Sequence, residues 1–138
     1  MDKDLIDIIE NEVSNFVRRI VITERRTGML ERSAYVLLRQ LSSKGPSGVK
    51  TLADKLHLDI STVSRQAATL EQKKYIDKIP NPEDGRAYFY RITDLGNKEL
   101  DDNKQKRYNR LANILSEWSD EEKEIFGHLL QKYNQTIY

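Results

Sequence analysis

Six residues between Ser61 and Thr69 carry hydrogen-bonding side chains, namely Ser61, Thr62, Ser64, Arg65, Gln66 and Thr69, and no carboxylate interrupts them. Hydroxyls bond phosphate oxygens or base edges, a guanidinium pairs bidentately with guanine, and a carboxamide does the same with adenine. Val63, Ala67 and Leu70 recur among them at helical spacing. With those three turned inward at about 100° per residue, Ser61, Arg65, Ala68 and Thr69 point outward and Thr62, Ser64 and Gln66 lie on the flanks. A solvated helix face opposite an apolar stripe is the competing reading. Ordinary exposed helices, however, favour long charged residues of high helix propensity over Ser and Thr. An outer face that is short, polar and free of acids suits the phosphate-lined major groove of a duplex.

A second constellation follows in Pro82-Glu83-Asp84-Gly85-Arg86. Its turn-forming residues would carry Arg86 on a protruding tip, where a guanidinium can enter a minor groove whose narrowness concentrates negative potential. A turn with a solvated arginine beside it fits the same residues. Catalytic chemistry has little to stand on. His57 and His128 are isolated, cysteine is absent, and there is neither a glycine-rich phosphate loop nor a metal-ligand spacing. Neither an enzyme nor a metal or other cofactor is expected.

The elements needed to hold these groups are legible in the patterning. Leu5, Ile8, Ile9, Val13, Phe16, Val17, Ile20 and Val21 mark a long first helix that runs on to Gly28, and Leu30, Ala34, Leu37, Leu38 and Leu41 a second that stops at Gly45-Pro46. Ser47 is placed to cap a short third helix containing Val49, Leu52, Ala53 and Leu56. Asp59 is placed to cap a fourth, from about Ile60 to Lys74, burying Ile60, Val63, Ala67 and Leu70. Tyr75–Ile79 and Ala87–Ile92 flank the Pro80–Gly85 turn as a β-hairpin. Thr93 caps a fifth helix carrying Leu95, Leu100, Tyr108, Leu111, Ile114, Leu115 and Trp118. Ser119-Asp120-Glu121-Glu122 has capping-box spacing ahead of a sixth, with Ile125, Phe126, Leu129, Leu130, Tyr133 and Ile137.

The expected fold is therefore mainly α with a small β-hairpin wing. Two short helices joined by a tight turn form a helix-turn-helix, and the hairpin follows directly as its wing. Residues 30 to 92 form the DNA-binding lobe of a single domain spanning residues 1 to 138, with residues 1 to 29 and 93 to 138 as a helical dimerisation region. The apolar stripes of those terminal helices have little to pack on in a monomer, so burial in a two-fold homodimer is expected, against the alternative of an intramolecular layer. Two recognition helices on one DNA face would then sit about one helical turn, roughly 34 to 36 Å, apart.

Composition limits rather than directs the reading. Lys and Arg (23) nearly balance Asp and Glu (22) in 138 residues, so only local charge placement bears on nucleic acid. Arg18, Arg19, Arg25 and Arg26, and Lys104, Lys106, Arg107 and Arg110, form basic clusters of the kind that usually face solvent. No apolar run reaches the roughly 20 residues of a membrane span, and Met1-Asp2-Lys3-Asp4 lacks the order of a secretory signal, so a cytoplasmic protein without membrane contact is expected.

Taken in order, Leu52-Ala53-Asp54-Lys55-Leu56, Ser61-Thr62-Val63-Ser64-Arg65, Leu70-Glu71, Pro82-Glu83-Asp84-Gly85-Arg86 and Ile92-Thr93-Asp94-Leu95-Gly96 resemble the MarR family of bacterial transcription regulators. The resemblance implies a triangular homodimer on a palindromic operator of double-stranded DNA. It further implies a ligand-responsive repressor, released by a small aromatic or anionic effector. It also implies that Asp84 orients Arg86 in the minor groove. Tyr35, Tyr108 and Trp118 are aromatic candidates near such an effector, but core packing suits them as well and no ligand residue is assigned. Two residues depart from the family pattern. His57 stands where a glycine is common, so a histidine has to bear a positive φ, and Tyr75 replaces another common glycine ahead of the hairpin. A winged-helix module that binds protein instead of DNA is the alternative function.

Overall fold

A computed structural model of the chain describes residues 2–137, with side chains as far as Thr136. The side chain of Ile137, the last residue of the sixth helix's stripe, lies outside the described residues. The elements in order are α1 (Asp2–Thr27), α2 (Arg32–Lys44), α3 (Val49–Leu56), α4 (Ile60–Gln72), β1 (Ile76–Asn81), β2 (Asp84–Ile92), α5 (Asp94–Ile114) and α6 (Asp120–Ile137). Residues up to Asn103 form one compact unit and those from Lys104 onward a second.

In the first unit the helical stripes meet the hairpin in one core. Leu37, Leu38 and Leu41 of α2, Leu52 and Ala53 of α3, and Val63, Ala67 and Leu70 of α4 are buried with Ile76, Tyr90 and Leu100. Apolar burial of this kind stabilises by about 25 cal/mol per Å² removed from water, which is what holds three short helices that would each be marginal alone. Ile60, expected inside, is 50% exposed. It is the first residue of α4, at the outer end of the stripe, and the packed part begins a turn later at Val63.

The caps differ in part from expectation. Gly48, not Ser47, precedes α3 as its N-cap. Ser47 is drawn instead into an antiparallel bridge with β2, its N–H donating to the Tyr90 carbonyl at 3.1 Å and its carbonyl accepting from the Tyr90 N–H at 2.9 Å. The Ser47 hydroxyl donates back to the Gly45 carbonyl at 3.3 Å, and the bridge fixes its backbone one residue ahead of the cap position. Asp59 holds the N-cap position of α4 with extended backbone but makes no side-chain capping bond.

Thr93 does cap α5. Its Oγ1 accepts from the Gly96 N–H at 3.0 Å and donates to the Lys74 carbonyl at 2.7 Å. Gly96 is required there because a Cβ would overlap the Tyr75 carbonyl oxygen. Trp118 falls beyond the end of α5, in the link to α6, where its ring lies 5.3 Å from that of Phe126. The capping box ahead of α6 is reciprocal, Ser119 N–H to Glu122 Oε1 at 2.9 Å and Glu122 N–H to Ser119 Oγ at 3.1 Å.

Candidate nucleic-acid interface

The turn between α3 and α4 is built on the positive φ expected of His57, which has φ 55° and ψ 45°. The Leu58 N–H closes back onto the Ala53 carbonyl at 2.9 Å, ending α3 sharply enough for α4 to begin at Ile60. A left-handed residue also ends α4, but it is Lys74 (φ 66°) and not Tyr75. The Tyr75 N–H donates to the Leu70 carbonyl and the Lys74 N–H to that of Glu71, a Schellman motif that redirects the chain into β1.

With Val63, Ala67 and Leu70 buried at 1%, 0% and 1%, Ser61, Arg65, Ala68 and Thr69 are exposed, and Thr62, Ser64 and Gln66 are half-buried on the flanks. The six polar residues thus share one side of α4. Two of them are engaged within the protein. Gln66 Nε2 donates to Ser33 Oγ of α2 at 2.6 Å, and Thr69 Oγ1 donates to the Arg65 carbonyl at 3.3 Å.

The hairpin is tighter than its sequence suggests, with only Pro82 and Glu83 between the strands. Asn81 Oδ1 accepts from the Glu83 N–H at 2.9 Å and shapes that turn. The register then jumps. Asn81 pairs with Asp84 while Pro80 pairs with Tyr88, so Gly85, Arg86 and Ala87 bulge from β2. Arg86 is carried on this bulge with its side chain 96% exposed. Asp84 Oδ1 accepts from the Arg86 N–H at 3.0 Å and lies 3.6 Å from its Nε, so the carboxylate holds the base of the arginine and leaves its far end outward.

Sequence patterning did not disclose how the hairpin is fastened. Directly opposed Asp77 and Arg91 form a two-bond ion pair at 3.0 and 3.1 Å. On the other face, Lys78 Nζ lies 3.7 Å from Glu71 Oε1 and 4.5 Å from the centroid of the Tyr88 ring. Nor did it disclose Asn103, buried in α5, whose Oδ1 accepts from the Leu30 N–H at 3.0 Å. A polar residue among the apolar positions of a helix is the one signal that could have drawn attention to it.

A groove of about 440 Å³ lies behind α4, lined by Leu30, Ala34, Arg65, Gln66, Lys73 and Tyr75 among others. Of the aromatic candidates, Tyr35 is buried with the Arg32 and Arg39 guanidinium carbons 5.9 and 5.6 Å from its ring centroid, and Tyr108 is 69% exposed. Among the described residues no three His, Asp or Glu side chains gather as a metal site, and no helix is long and apolar enough to cross a membrane.

Comparison with known proteins places this geometry in a family. Residues 30–88 match the family model described as MarR family. The chain is 50% identical over 135 residues, 96% of its own length and 94% of the relative's, to the Bacillus subtilis protein named uncharacterized HTH-type transcriptional regulator YxaD. Its fold is similar to the structure of a MarR family protein from Bacillus stearothermophilus, with TM-score 0.83, 22% identity and coverage of 99% and 98% of the two chains. It is likewise similar to the Streptomyces coelicolor PcaV transcriptional regulator in complex with its natural ligand, with TM-score 0.73, 18% identity and 93% of each chain covered. A helix-turn-helix closed by His57, a wing carrying Arg86 and kinship along nearly the whole chain agree, and the chain belongs to the MarR family.

Proposed function

We propose that the protein is a sequence-specific regulator of transcription that binds a palindromic operator in double-stranded DNA as a homodimer. Ser61, Thr62, Ser64, Arg65, Gln66 and Thr69 of α4 address the major groove, and Arg86, steadied by Asp84, enters the minor groove. The observation that carries this reading is the pairing of an α4 outer face without carboxylates and a wing-tip arginine that is 96% exposed. The bond from Gln66 Nε2 to Ser33 uses one of its two N–H donors and leaves its Oε1 as the acceptor for a base contact.

Dimerisation is supported by apolar side chains left open on the terminal helices. On α1 these include Leu5 (60%), Ile8 (62%) and Phe16 (48%), and on α5 and α6 Leu111, Ile114, Leu129 and Tyr133. Exposure on this scale is typical of a surface awaiting a partner. Repression relieved by a small aromatic or anionic effector completes the proposal. The groove behind α4 is the seat proposed for that effector, with Tyr75 as an aromatic wall and with Arg65 and Lys73 beside Glu31 and Glu99 in its lining.

Selection of bound duplexes from a random pool by the full chain tests the proposal. A palindrome should emerge, affinity should fall steeply with salt, and Arg65→Ala or Arg86→Ala should each weaken binding by about 1 to 3 kcal/mol. Absence of salt-sensitive binding, or indifference to both substitutions, would sink it and leave a protein-binding winged helix.

A further inference from the structure

The recognition helix and the wing must reach two different grooves at once, so the angle between them matters as much as the residues at their ends. The last turn of α4 and the stem of the hairpin are joined by one cluster. Ile76, Lys78 and Pro80 of β1 pair with Ile92, Tyr90 and Tyr88 of β2, and alternation along a strand puts these six on one face. Toward the core that face is buried through Ile76 and Tyr90 (2% and 3% exposed). Toward the tip it carries Lys78 and Tyr88, whose ring also meets that of Tyr90 edge-on at 5.4 Å. Lys78 Nζ bridges outward from this face, 3.7 Å from Glu71 Oε1 of α4 and 4.5 Å from the Tyr88 ring centroid. A side chain rooted in β1 thus brings its ammonium to both α4 and β2.

We infer that Lys78 is a positioning residue for DNA binding, a brace that uses Glu71 and the Tyr88 ring to hold the wing stem at a set angle to α4, so that Arg65 and Arg86 engage their grooves together. The side chains of Lys78 and Glu71 are 45% and 29% exposed, so the ion pair alone is partly screened. The ring contact adds to it. Lysine on a wing would ordinarily be read as a phosphate contact. The brace differs from that in a measurable way, because it makes Glu71, an acid that should only repel DNA, favourable to binding.

The inference rests on the proposed DNA-binding function, and the test separates the two. Full-length wild type, Lys78→Met, Glu71→Gln, Arg86→Ala and Lys78→Met/Arg86→Ala are titrated over a salt series with a duplex selected by the wild type. Hydrogen exchange of the hairpin amides is followed without DNA. Each of K78M and E71Q should lower affinity about three- to tenfold with the salt slope unchanged. Hairpin amides should exchange faster in both. K78M should cost nothing further once Arg86 is gone, because the wing then has no contact to position. A K78M loss that comes with a salt slope shallower by about 0.9 per contact and persists in the R86A background would make Lys78 a phosphate ligand and overturn the brace. Tighter binding by E71Q, or unchanged exchange, would also overturn it. If K78M melts at a much lower temperature, the near-isosteric E71Q decides. If the wild type binds no duplex, the DNA-binding reading fails by itself, and exchange still reports whether Lys78 holds the hairpin.

Discussion

The Oδ1 of Asn103, 1% exposed in the middle of α5, accepts the backbone N–H of Leu30 at 3.0 Å and so ties the link between α1 and α2 to the helix that follows the wing. The same carboxamide donates from Nδ2 to the Glu99 carbonyl and to Glu99 Oε1 at 3.0 and 3.1 Å, leaving it well satisfied. Asn103→Ala strips a buried N–H of that partner and should lower unfolding free energy by about 1 to 3 kcal/mol. Urea denaturation of the variant beside the wild type measures it, and equal midpoints would show the bond to be dispensable.

Asp84 and Arg86 act as one unit in the proposed minor-groove contact. Asp84→Ala removes a negative charge and by charge alone should tighten DNA binding. Its carboxylate, however, holds the Arg86 backbone and Nε. Loss of that orientation should weaken binding by about 1 kcal/mol. In the Arg86→Ala background the penalty should vanish or reverse sign, which a double-mutant cycle on a selected duplex reads directly.

His57 and Lys74 both sit in left-handed backbone, φ 55° and 66°, a conformation that costs an L-residue with a Cβ roughly 1 to 2 kcal/mol. Glycine relieves the strain but loses more chain entropy on folding. His57→Gly and Lys74→Gly should therefore each stabilise by up to about 1 kcal/mol, seen as a higher urea midpoint. A decrease at either site would mean that the side chain makes contacts worth more than the strain.

Burial pushes the Tyr90 phenol well above the ordinary tyrosine range, helped by its hydrogen bond with Tyr88 and by the charges of Tyr88 and Glu71. Tyr75 is raised too, by burial and then by Glu99. A raised folded-state pKa means that the folded form holds its proton when the unfolded form has released it. Stability from these groups is thus fully present below the unfolded value of about 10 and is lost as pH rises beyond it. Urea midpoints should fall from about pH 10 upward, and Tyr90→Phe should flatten that fall. An unchanged slope in Y90F would remove Tyr90 as its source.

The boundary between what patterning told and what folding decided follows range. Helical stripes such as Val63–Ala67–Leu70, the hairpin and the Thr93 and Ser119 caps were legible because each depends on neighbours within a few residues, whereas the αL turn at His57 was legible only through the family resemblance. So was the polar face from Ser61 to Thr69, since orientation on a helix follows from spacing alone. Ser47 was misread because its partner, Tyr90, lies 43 residues on in the chain. Trp118 was misplaced by the weaker problem of where a frayed helix ends.

The residues proposed to address DNA were thus legible in the sequence: their types, their shared face and the arginine on the wing. Tertiary structure decided how they are presented. It engages Gln66 with Ser33, sets Arg86 on a three-residue bulge steadied by Asp84, and ties α4 to the hairpin through Glu71, Lys78 and Tyr88. The physical reason is that a side chain's chemistry is local, whereas its partners and its angle to a second reading element come from contacts between segments that only the packed core brings together.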